Sequence, residues 1–324
     1  YPEAYLNRAN LYFNQGQSDL AISDYNKALE LNGQYAEAYF NRGVVYTRQG
    51  DYKQAIYDYT KAIDLRPDCS EIFFNRANAY LSSGDYDNAI SDFSKNIDAS
   101  DSYMNRGIAY ARKGLFEEAM ADFNKSLEIN PKFARAFFNI ALVYDSRIQY
   151  EESLKYYAKA IEANPKYIEA YLNRGIVYSN RTQYDQAISD FNKAISIDPK
   201  NAESYFNRGL VYDNQGKYDK ALTEYNKFIE LNPNHMSGYI NRGILYVKRG
   251  MYDKAIDDFD KAIQANPQSA NAYFNKALVC EKAGRAGDAI EAYKNFIKFA
   301  TPQLTNYIEG AKDRITELES SATI

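Results

Sequence analysis

The sequence predicts an all-α fold made of nine consecutive pairs of antiparallel helices. An Asn-Arg pair followed by Gly or Ala recurs at intervals of 34, 34, 30, 68, 34 and 34 residues. Each unit also repeats one pattern of aromatic and small residues at helical spacing, and most units have a glycine near the middle and a proline near the end. When the first aromatic residue of each unit is numbered position 4, the repeats begin at Pro2, Ala36, Ser70, Ser100, Ala134, Ile168, Ala202, Met236 and Ala270.

The first helix of each repeat is indicated by positions 4, 8 and 11. Position 4 is aromatic, position 8 is Gly or Ala, and position 11 is Tyr in eight repeats and Cys280 in the last. Residues spaced i, i+4 and i+7 lie on one face of a helix, so this face is predicted to pack inside the repeat. A glycine then ends the helix in seven repeats, where a positive φ is expected: Gly16, Gly50, Gly84, Gly114, Gly216, Gly250 and Gly284.

The second helix carries Ala at position 20 in most repeats, an aromatic residue at position 24 and usually a small residue at position 27. Small residues allow two helices to approach closely, and a proline ends most repeats because it cannot continue a helix. The third repeat is four residues shorter than the others before Asp101, which predicts a local change of twist. The fifth and sixth repeats are expected to be the least regular, because Ile148 and Thr182 replace the turn glycine.

With these residues the chain resembles the tetratricopeptide repeat family, with Tyr in place of the family's usual Trp at position 4. The resemblance covers residues 2–303 and implies a right-handed superhelical solenoid, in which the first helices line a concave groove. Residues 304–320 have apolar side chains at helical spacing and are predicted to form a helix that caps the end of the array.

Composition and charge exclude several functional classes. The formal net charge is −4, with Lys and Arg spread evenly, so no basic surface for nucleic acid is predicted. No apolar run reaches the roughly 18 residues of a membrane-spanning helix, so no membrane insertion is predicted, and no compartment is indicated. The chain opens at Tyr1 without a leader pattern, which suggests a start inside a larger product or after processing.

Residues able to support catalysis or bind a cofactor are rare. The one histidine, His235, is predicted in a turn, and Cys69 and Cys280 lie in distant repeats. No phosphate-binding glycine loop and no pair of metal ligands at the required spacing is present. The sequence therefore predicts that the chain is not an enzyme and binds no cofactor and no metal.

One column of polar residues points to a function. Position 6 is opposite the packed face, and an amide there can bond to the backbone of an extended chain whatever its sequence. The column resembles the asparagine ladder of O-GlcNAc transferases, which implies peptide binding; the alternative is that these amides only tie adjacent helices together. Position 6 is Asn in all nine repeats: Asn7, Asn41, Asn75, Asn105, Asn139, Asn173, Asn207, Asn241 and Asn275.

Neighbouring positions would set the character of the groove. Position 5 is apolar throughout and position 9 is apolar in seven repeats, either to pack neighbouring helices or to contact apolar groups of a partner. Position 13 is polar or basic, and Arg48, Arg112 and Lys248 are the candidate contacts. Position 2 is acidic in six repeats, and the arginines at position 7 are expected to pair with a carboxylate of a neighbouring repeat.

The sequence thus favours a non-catalytic scaffold that binds a peptide or the surface of a protein partner. Two alternatives remain open at this stage. The chain could be a structural subunit that assembles with itself into a fibre, head to tail or side by side, or it could be the arm of a larger enzyme that recruits its substrate.

Overall fold

The computed structural model describes residues 1–95 and 99–321. Over this part of the chain it contains nineteen α-helices and no strand, and consecutive helices pack in pairs, which confirms the predicted all-α fold. The first helices of the repeats are α1 (Pro2–Asn14), α3 (Ala36–Gln49), α5 (Ser70–Ser83), α7 (Ser100–Arg112), α9 (Ala134–Ser146), α11 (Ile168–Asn180), α13 (Ala202–Asn214), α15 (Met236–Lys248) and α17 (Ala270–Lys282). The second helices are α2 (Ser18–Leu31), α4 (Tyr52–Leu65), α6 (Tyr86–Phe93), α8 (Phe116–Ile129), α10 (Tyr150–Ala163), α12 (Tyr184–Ile197), α14 (Tyr218–Leu231), α16 (Tyr252–Ala265) and α18 (Ala286–Phe299).

The chain divides into two compact units, Tyr1–Pro165 and Lys166–Ile324. The first unit holds the first five repeats, and the second holds the other four together with α19 (Thr305–Ser321). Within each unit the two helices of a repeat pack on each other, and the second helix of one repeat packs on the first helix of the next. None of the helices described has the length and apolar character required to cross a membrane.

The core of each repeat is an aromatic ring at position 24 that packs on the small residue at position 8. All nine rings at position 24 are at most 1% exposed. A Cβ atom placed on Gly43 would lie 2.8 Å from the ring of Tyr59, and one on Gly107 would lie 2.7 Å from that of Phe123. The absence of a side chain at position 8 therefore sets how closely the two helices of such a repeat approach.

The turn between the two helices has the same backbone conformation in all the repeats that carry the turn glycine. The seven predicted glycines have φ values between 70° and 86°, which confirms the left-handed conformation expected there. In the fifth and sixth repeats Ile148 and Thr182 adopt φ values of 61° and 59°. The turns expected to be the least regular thus keep this conformation, although a β-branched residue is strained in it.

The third repeat ends early. Its second helix, α6, has eight residues, whereas α4 and α8 have fourteen each. The predicted change of twist at this joint falls on residues 96–98, which lie outside the described residues.

Seven arginines at position 7 bind the acidic residue at position 23 of their own repeat. In the second repeat Arg42 Nε and Nη2 donate to the two carboxylate oxygens of Asp58 at 2.7 and 2.6 Å. The expected pairing with a carboxylate of a neighbouring repeat is wrong for these arginines, because position 23 lies sixteen residues ahead on the packed face of the partner helix. The pairs are Arg8–Asp24, Arg42–Asp58, Arg76–Asp92, Arg106–Asp122, Arg174–Asp190, Arg208–Glu224 and Arg242–Asp258.

The neighbouring repeat contributes a neutral oxygen to several of these arginines. Arg76 Nη1, for example, donates to Thr60 Oγ1 of the preceding repeat at 3.0 Å. The ninth repeat has Lys276 at position 7, and its Nζ donates to Asp260 of the eighth repeat at 2.7 Å. Such an arginine therefore joins three helices. Its guanidinium also contacts aromatic rings at positions 4 and 11 of its own helix, as Arg106 contacts Tyr103 and Tyr110.

The fifth repeat replaces the ion pair with apolar contacts. Ile140 stands at position 7 and is fully buried, and Tyr156 stands at position 23. The ring of Tyr156 stacks on Tyr144, with centroids 5.5 Å apart. Because both partners change together, no buried charge is left without its counter-charge.

In the second unit α19 covers the outer face of the ninth repeat. Ala311 is 2% exposed and lies in one apolar cluster with Tyr293 and Phe296. Arg314 binds Glu281 of α17, with Nη2 2.6 Å from Oε2. The helix therefore occupies the position that a tenth repeat would take.

Candidate functional site

The asparagine column, defined as the nine Asn residues at position 6, runs along the first helices of each unit. Asn7 is exposed, Asn105 is buried with 8% exposure, and the other seven are half-buried. Their partners decide whether the amides are free to bind a ligand.

In six repeats the amide bonds to its own helix and leaves its oxygen unused. In each of them Nδ2 donates to the backbone carbonyl four residues earlier, as in Asn173 to Glu169 at 2.8 Å. No Oδ1 of the column accepts a hydrogen bond from the described residues of its unit, so an acceptor remains in each repeat. The six are Asn75, Asn139, Asn173, Asn207, Asn241 and Asn275.

In two repeats the amide ties adjacent helices together instead. Asn41 Nδ2 donates to Asn10 Oδ1 at 3.1 Å, and Asn105 Nδ2 donates to Asn78 Oδ1 at 2.9 Å. Asn10 and Asn78 are the only two residues at position 9 that are not apolar. Position 9 of the preceding repeat therefore decides whether the column amide bonds to a second amide there, and this rule was readable from the sequence. Asn139, which follows the apolar Ile108, instead lies 3.9 Å from Met104 Sδ of the preceding repeat.

The apolar residues at position 5 belong mainly to the interior. Leu6, Met104, Leu172 and Ile240 are buried at 5% exposure or less, and the phenylalanines at this position are half-buried. Phe40, for example, lies 5.9 Å from the ring of Tyr59. Position 9 is half-buried in most repeats, so apolar contact with a ligand is limited to the edges of these side chains.

The three candidate cations at position 13 differ in their availability. Lys248 Nζ lies 2.7 and 2.8 Å from the two carboxylate oxygens of Asp213, so its charge is already paired. The guanidinium of Arg48 lies 5.3 Å from the ring centroid of Phe13. Arg112 is exposed, and its side chain binds none of the residues described in the first unit.

Position 12 is a set of groove residues that the sequence reasoning missed. Position 24 is Tyr in five repeats, and position 12 is polar in four of them, the second, fifth, seventh and ninth; in the second repeat Thr47 Oγ1 lies 3.0 Å from Tyr59 Oη. In the first repeat position 12 is Phe13, and Tyr25 Oη donates to Asn10 Oδ1 instead. Asp145 occupies this position in the fifth repeat, and burial raises the pKa of its carboxyl group. The matching of positions 12 and 24 across the repeats was the signal that could have found it.

The remaining reactive residues have ordinary packing environments. Cys280 is buried, and burial raises the pKa of its thiol. His235 lies against Phe228, with ring centroids 5.2 Å apart. In the part of the chain that the structure describes, no three His, Cys, Asp or Glu side chains converge as metal ligands would.

Comparison with protein-family models gives one family for almost the whole chain. Models of the tetratricopeptide repeat match residues 36–69, 70–99, 100–133, 134–167, 156–189, 202–235 and 240–303, and a further repeat model of this family matches residues 9–50 and 181–216. No catalytic family is among these models. No curated protein matches the chain.

Solved structures share the fold at low sequence identity. A tetratricopeptide repeat protein from Parabacteroides merdae is 21% identical with a TM-score of 0.55, and the match covers 77% of this chain and 98% of that one. PilF from Pseudomonas aeruginosa is 22% identical with a TM-score of 0.56, and the match covers 68% and 97% of the two chains. A chain of the APC/C hetero-tetramer Cut9-Hcn1 is 16% identical with a TM-score of 0.55, covering 98% and 76%.

The repeat motifs, the paired helices and the family matches agree along the chain. This protein belongs to the tetratricopeptide repeat family.

Proposed function

We propose that this protein is a non-catalytic scaffold that binds an extended peptide along its asparagine column. The observation that carries the proposal is the unused Oδ1 acceptor of every column residue, repeated once per repeat. An extended peptide has backbone N–H groups that need acceptors, and the second N–H of an amide can serve its carbonyl groups. Binding through the backbone would tolerate many sequences.

Selectivity would come from the side chains that flank the column. The acidic residues at position 2 and the polar or basic residues at position 13 are exposed. Of the candidate cations at position 13, Arg112 is the most available, whereas Lys248 would first have to leave Asp213. Peptides with acidic groups near Arg112 and basic groups near position 2 would suit this face.

Self-assembly is the second candidate, and one observation favours it. Leu11 is 61% exposed, whereas the residues at position 10 of the second, sixth, seventh and eighth repeats are fully buried. The first repeat thus exposes a surface of the kind that packs on a preceding repeat. At the other end of the array α19 covers the ninth repeat, so head-to-tail assembly would require α19 to move away. Peptide binding needs no such change.

The proposal is tested with peptides selected from a random twelve-residue display library on the immobilised protein. The triple variant Asn173→Ala, Asn207→Ala, Asn241→Ala removes three acceptors from the second unit. Each hydrogen bond contributes about 1 kcal/mol, so the Kd of a peptide that spans them should rise about a hundredfold. Calorimetry measures the Kd, and urea denaturation checks the fold, which should be intact because Ala favours helices.

The matched control is the triple variant Gln186→Ala, Ser189→Ala, Thr223→Ala. These residues are exposed on the second helices α12 and α14 of the same unit. The control should bind the selected peptides as the parent protein does. An unchanged Kd in the asparagine variant would contradict the proposal.

A further inference from the structure

A cavity of about 740 Å³ opens on the asparagine column between the third and fourth repeats. It is lined by α5, α7 and Arg135 of α9, all within the first unit. Another cavity of the first unit, between the fourth and fifth repeats, measures about 480 Å³. The joint beside the shortened third repeat therefore has room for a long side chain.

The polar groups that line this cavity are mostly acceptors. The Asn105 amide donates one hydrogen to Asn78 Oδ1, which leaves its oxygen as an acceptor and its second N–H as a donor. The side chains of Glu71 and Asp101, at position 2 of successive repeats, form no hydrogen bond or ion pair with the described residues of the first unit. Two carboxylates and an amide oxygen thus face this space without a donor.

A buried hydroxyl marks the inner wall of the cavity. Ser102 is 0% exposed, and its Oγ has no hydrogen-bond partner among the described residues. A buried polar group without a partner is unfavourable by about 1–3 kcal/mol. Because Ser102 has no exposed surface, a ligand group reaches its hydroxyl only if the wall of the cavity shifts, so the exposed carboxylates of Glu71 and Asp101 are the polar groups that a ligand meets first.

The other walls are apolar. Phe74, Leu81 and Ile108 line the cavity beside the carboxylates. Long basic side chains combine an aliphatic stem with a cationic head, and the guanidinium of arginine carries five N–H donors. An anionic ligand group would be repelled by Glu71 and Asp101, and a purely apolar one would leave both carboxylates without a counter-charge. Arg135 is the one cation among the lining residues, and it is outnumbered by the two carboxylates.

We infer that this cavity binds an arginine or lysine side chain of the peptide that lies along the asparagine column. The aliphatic stem packs on Phe74, Leu81 and Ile108, and the cationic head donates to the carboxylates of Glu71 and Asp101. Arginine fits better than lysine, because its planar group can reach several acceptors at once. This inference rests on the proposed function, since the peptide backbone brings the side chain to the cavity.

The test uses the peptides selected from the twelve-residue library, together with versions in which each Arg is replaced by citrulline and each Lys by norleucine. Citrulline keeps the shape of arginine and removes its charge. The double variant Glu71→Gln, Asp101→Asn removes both carboxylates, and the control variant Glu118→Gln, Glu128→Gln removes two exposed acids from the second helix α8 of the same unit.

We expect selected peptides to be enriched in Arg or Lys at one place, and the neutral replacement there to weaken binding about tenfold. The Glu71→Gln, Asp101→Asn variant should bind the parent peptide about tenfold more weakly and should no longer distinguish it from the citrulline version. The control variant should keep the full distinction.

Two results would overturn the inference, and they differ in what else they affect. If peptides bind and lose affinity in the variant Asn75→Ala, Asn139→Ala, which removes the column acceptors of the third and fifth repeats, yet the Glu71→Gln, Asp101→Asn variant binds them as tightly as the parent, the cavity does not bind a basic side chain and the proposed function stands. If no peptide is selected at all, the proposed function fails, and this inference fails with it.

Discussion

At the residue scale, the turn between the two helices of a repeat shows how the choice of one residue affects backbone strain. Gly50 and six other glycines take the left-handed conformation of the turn without strain. Ile148 takes the same conformation with a β-branched side chain that is 71% exposed. Its apolar surface therefore contributes little packing energy to offset the strain.

Replacing Ile148 with Gly should stabilise the protein. The left-handed conformation is unfavourable by about 1–2 kcal/mol for a residue with a Cβ atom, and the greater freedom of Gly in the unfolded chain offsets part of this gain. We expect the free energy of unfolding to rise by about 0.5–1 kcal/mol, measured by urea denaturation. The reciprocal control Gly50→Ala should lower it by about 1 kcal/mol, and a loss of stability in Ile148→Gly would contradict the strain argument.

Other single positions were predictable only by comparing columns. Position 3 is Gly only in the eighth repeat, where a Cβ on Gly238 would lie 2.7 Å from the ring of Phe228. The preceding repeat has Phe228 at position 27, where the first, second, fifth, sixth and eighth repeats have Ala. The missing side chain at Gly238 thus leaves room for the large ring of Phe228 in the preceding repeat. This match is visible only when two adjacent repeats are compared.

At the scale of helices, the sequence predicted which faces pack but not which partners they find. The spacing of positions 4, 8 and 11 gave the buried face of the first helix, because helical periodicity is local. The partner of Arg42 was misassigned to a neighbouring repeat, since the distance between positions 7 and 23 depends on how two helices cross. The ring at position 24 is the contact that fixes this crossing.

Buried tyrosines at position 24 should make the helix pairs sensitive to alkali. Burial raises the pKa of Tyr25 and of Tyr59 to about 12, compared with about 10 in an unfolded chain. The unfolded state therefore loses these protons first, so the stabilisation is complete below pH 10 and is lost as the pH rises from 10 to 12. For Tyr59 the loss at pH 11 should be about 1.4 kcal/mol, measured by urea denaturation at pH 9 and pH 11.

The variant Tyr59→Phe isolates this effect, since Phe occupies position 24 in four other repeats. Between pH 9 and pH 11 the free energy of unfolding of this variant should fall by about 1.4 kcal/mol less than that of the parent protein. Tyr57→Phe is the control, because Tyr57 lies on the same helix and is 53% exposed. Equal pH dependence in the two variants would show that the burial of Tyr59 does not control its titration.

At the scale of the whole molecule, repetition made the fold predictable from the sequence, whereas it made only part of the candidate site predictable. Nine copies of one pattern reinforce each other, so a signal that would be weak once becomes specific. The same averaging hides what distinguishes one repeat from another. Three features of the site depend on exceptions to the pattern. They are the hydrogen bond between Asn41 and Asn10, the ion pair of Lys248 with Asp213 and the cavity lined by Ser102.

The function proposed for the molecule follows from the column as a whole. One amide with an unused oxygen is common on protein surfaces, whereas a column with one per repeat offers repeated acceptors to the repeated N–H groups of an extended backbone. The central claim is therefore that the asparagine column contacts the backbone of a bound peptide.

The most direct measurement is the NMR spectrum of the side-chain amides of the protein labelled with nitrogen-15 at asparagine, with and without a selected peptide. The signals of the column are assigned by Asn→Asp substitution at each of its residues. The account predicts that signals of consecutive column residues in one unit shift on peptide binding, and that those of exposed asparagines on the second helices, such as Asn124, do not. Shifts confined to residues outside the column, with the column unchanged, would contradict the account.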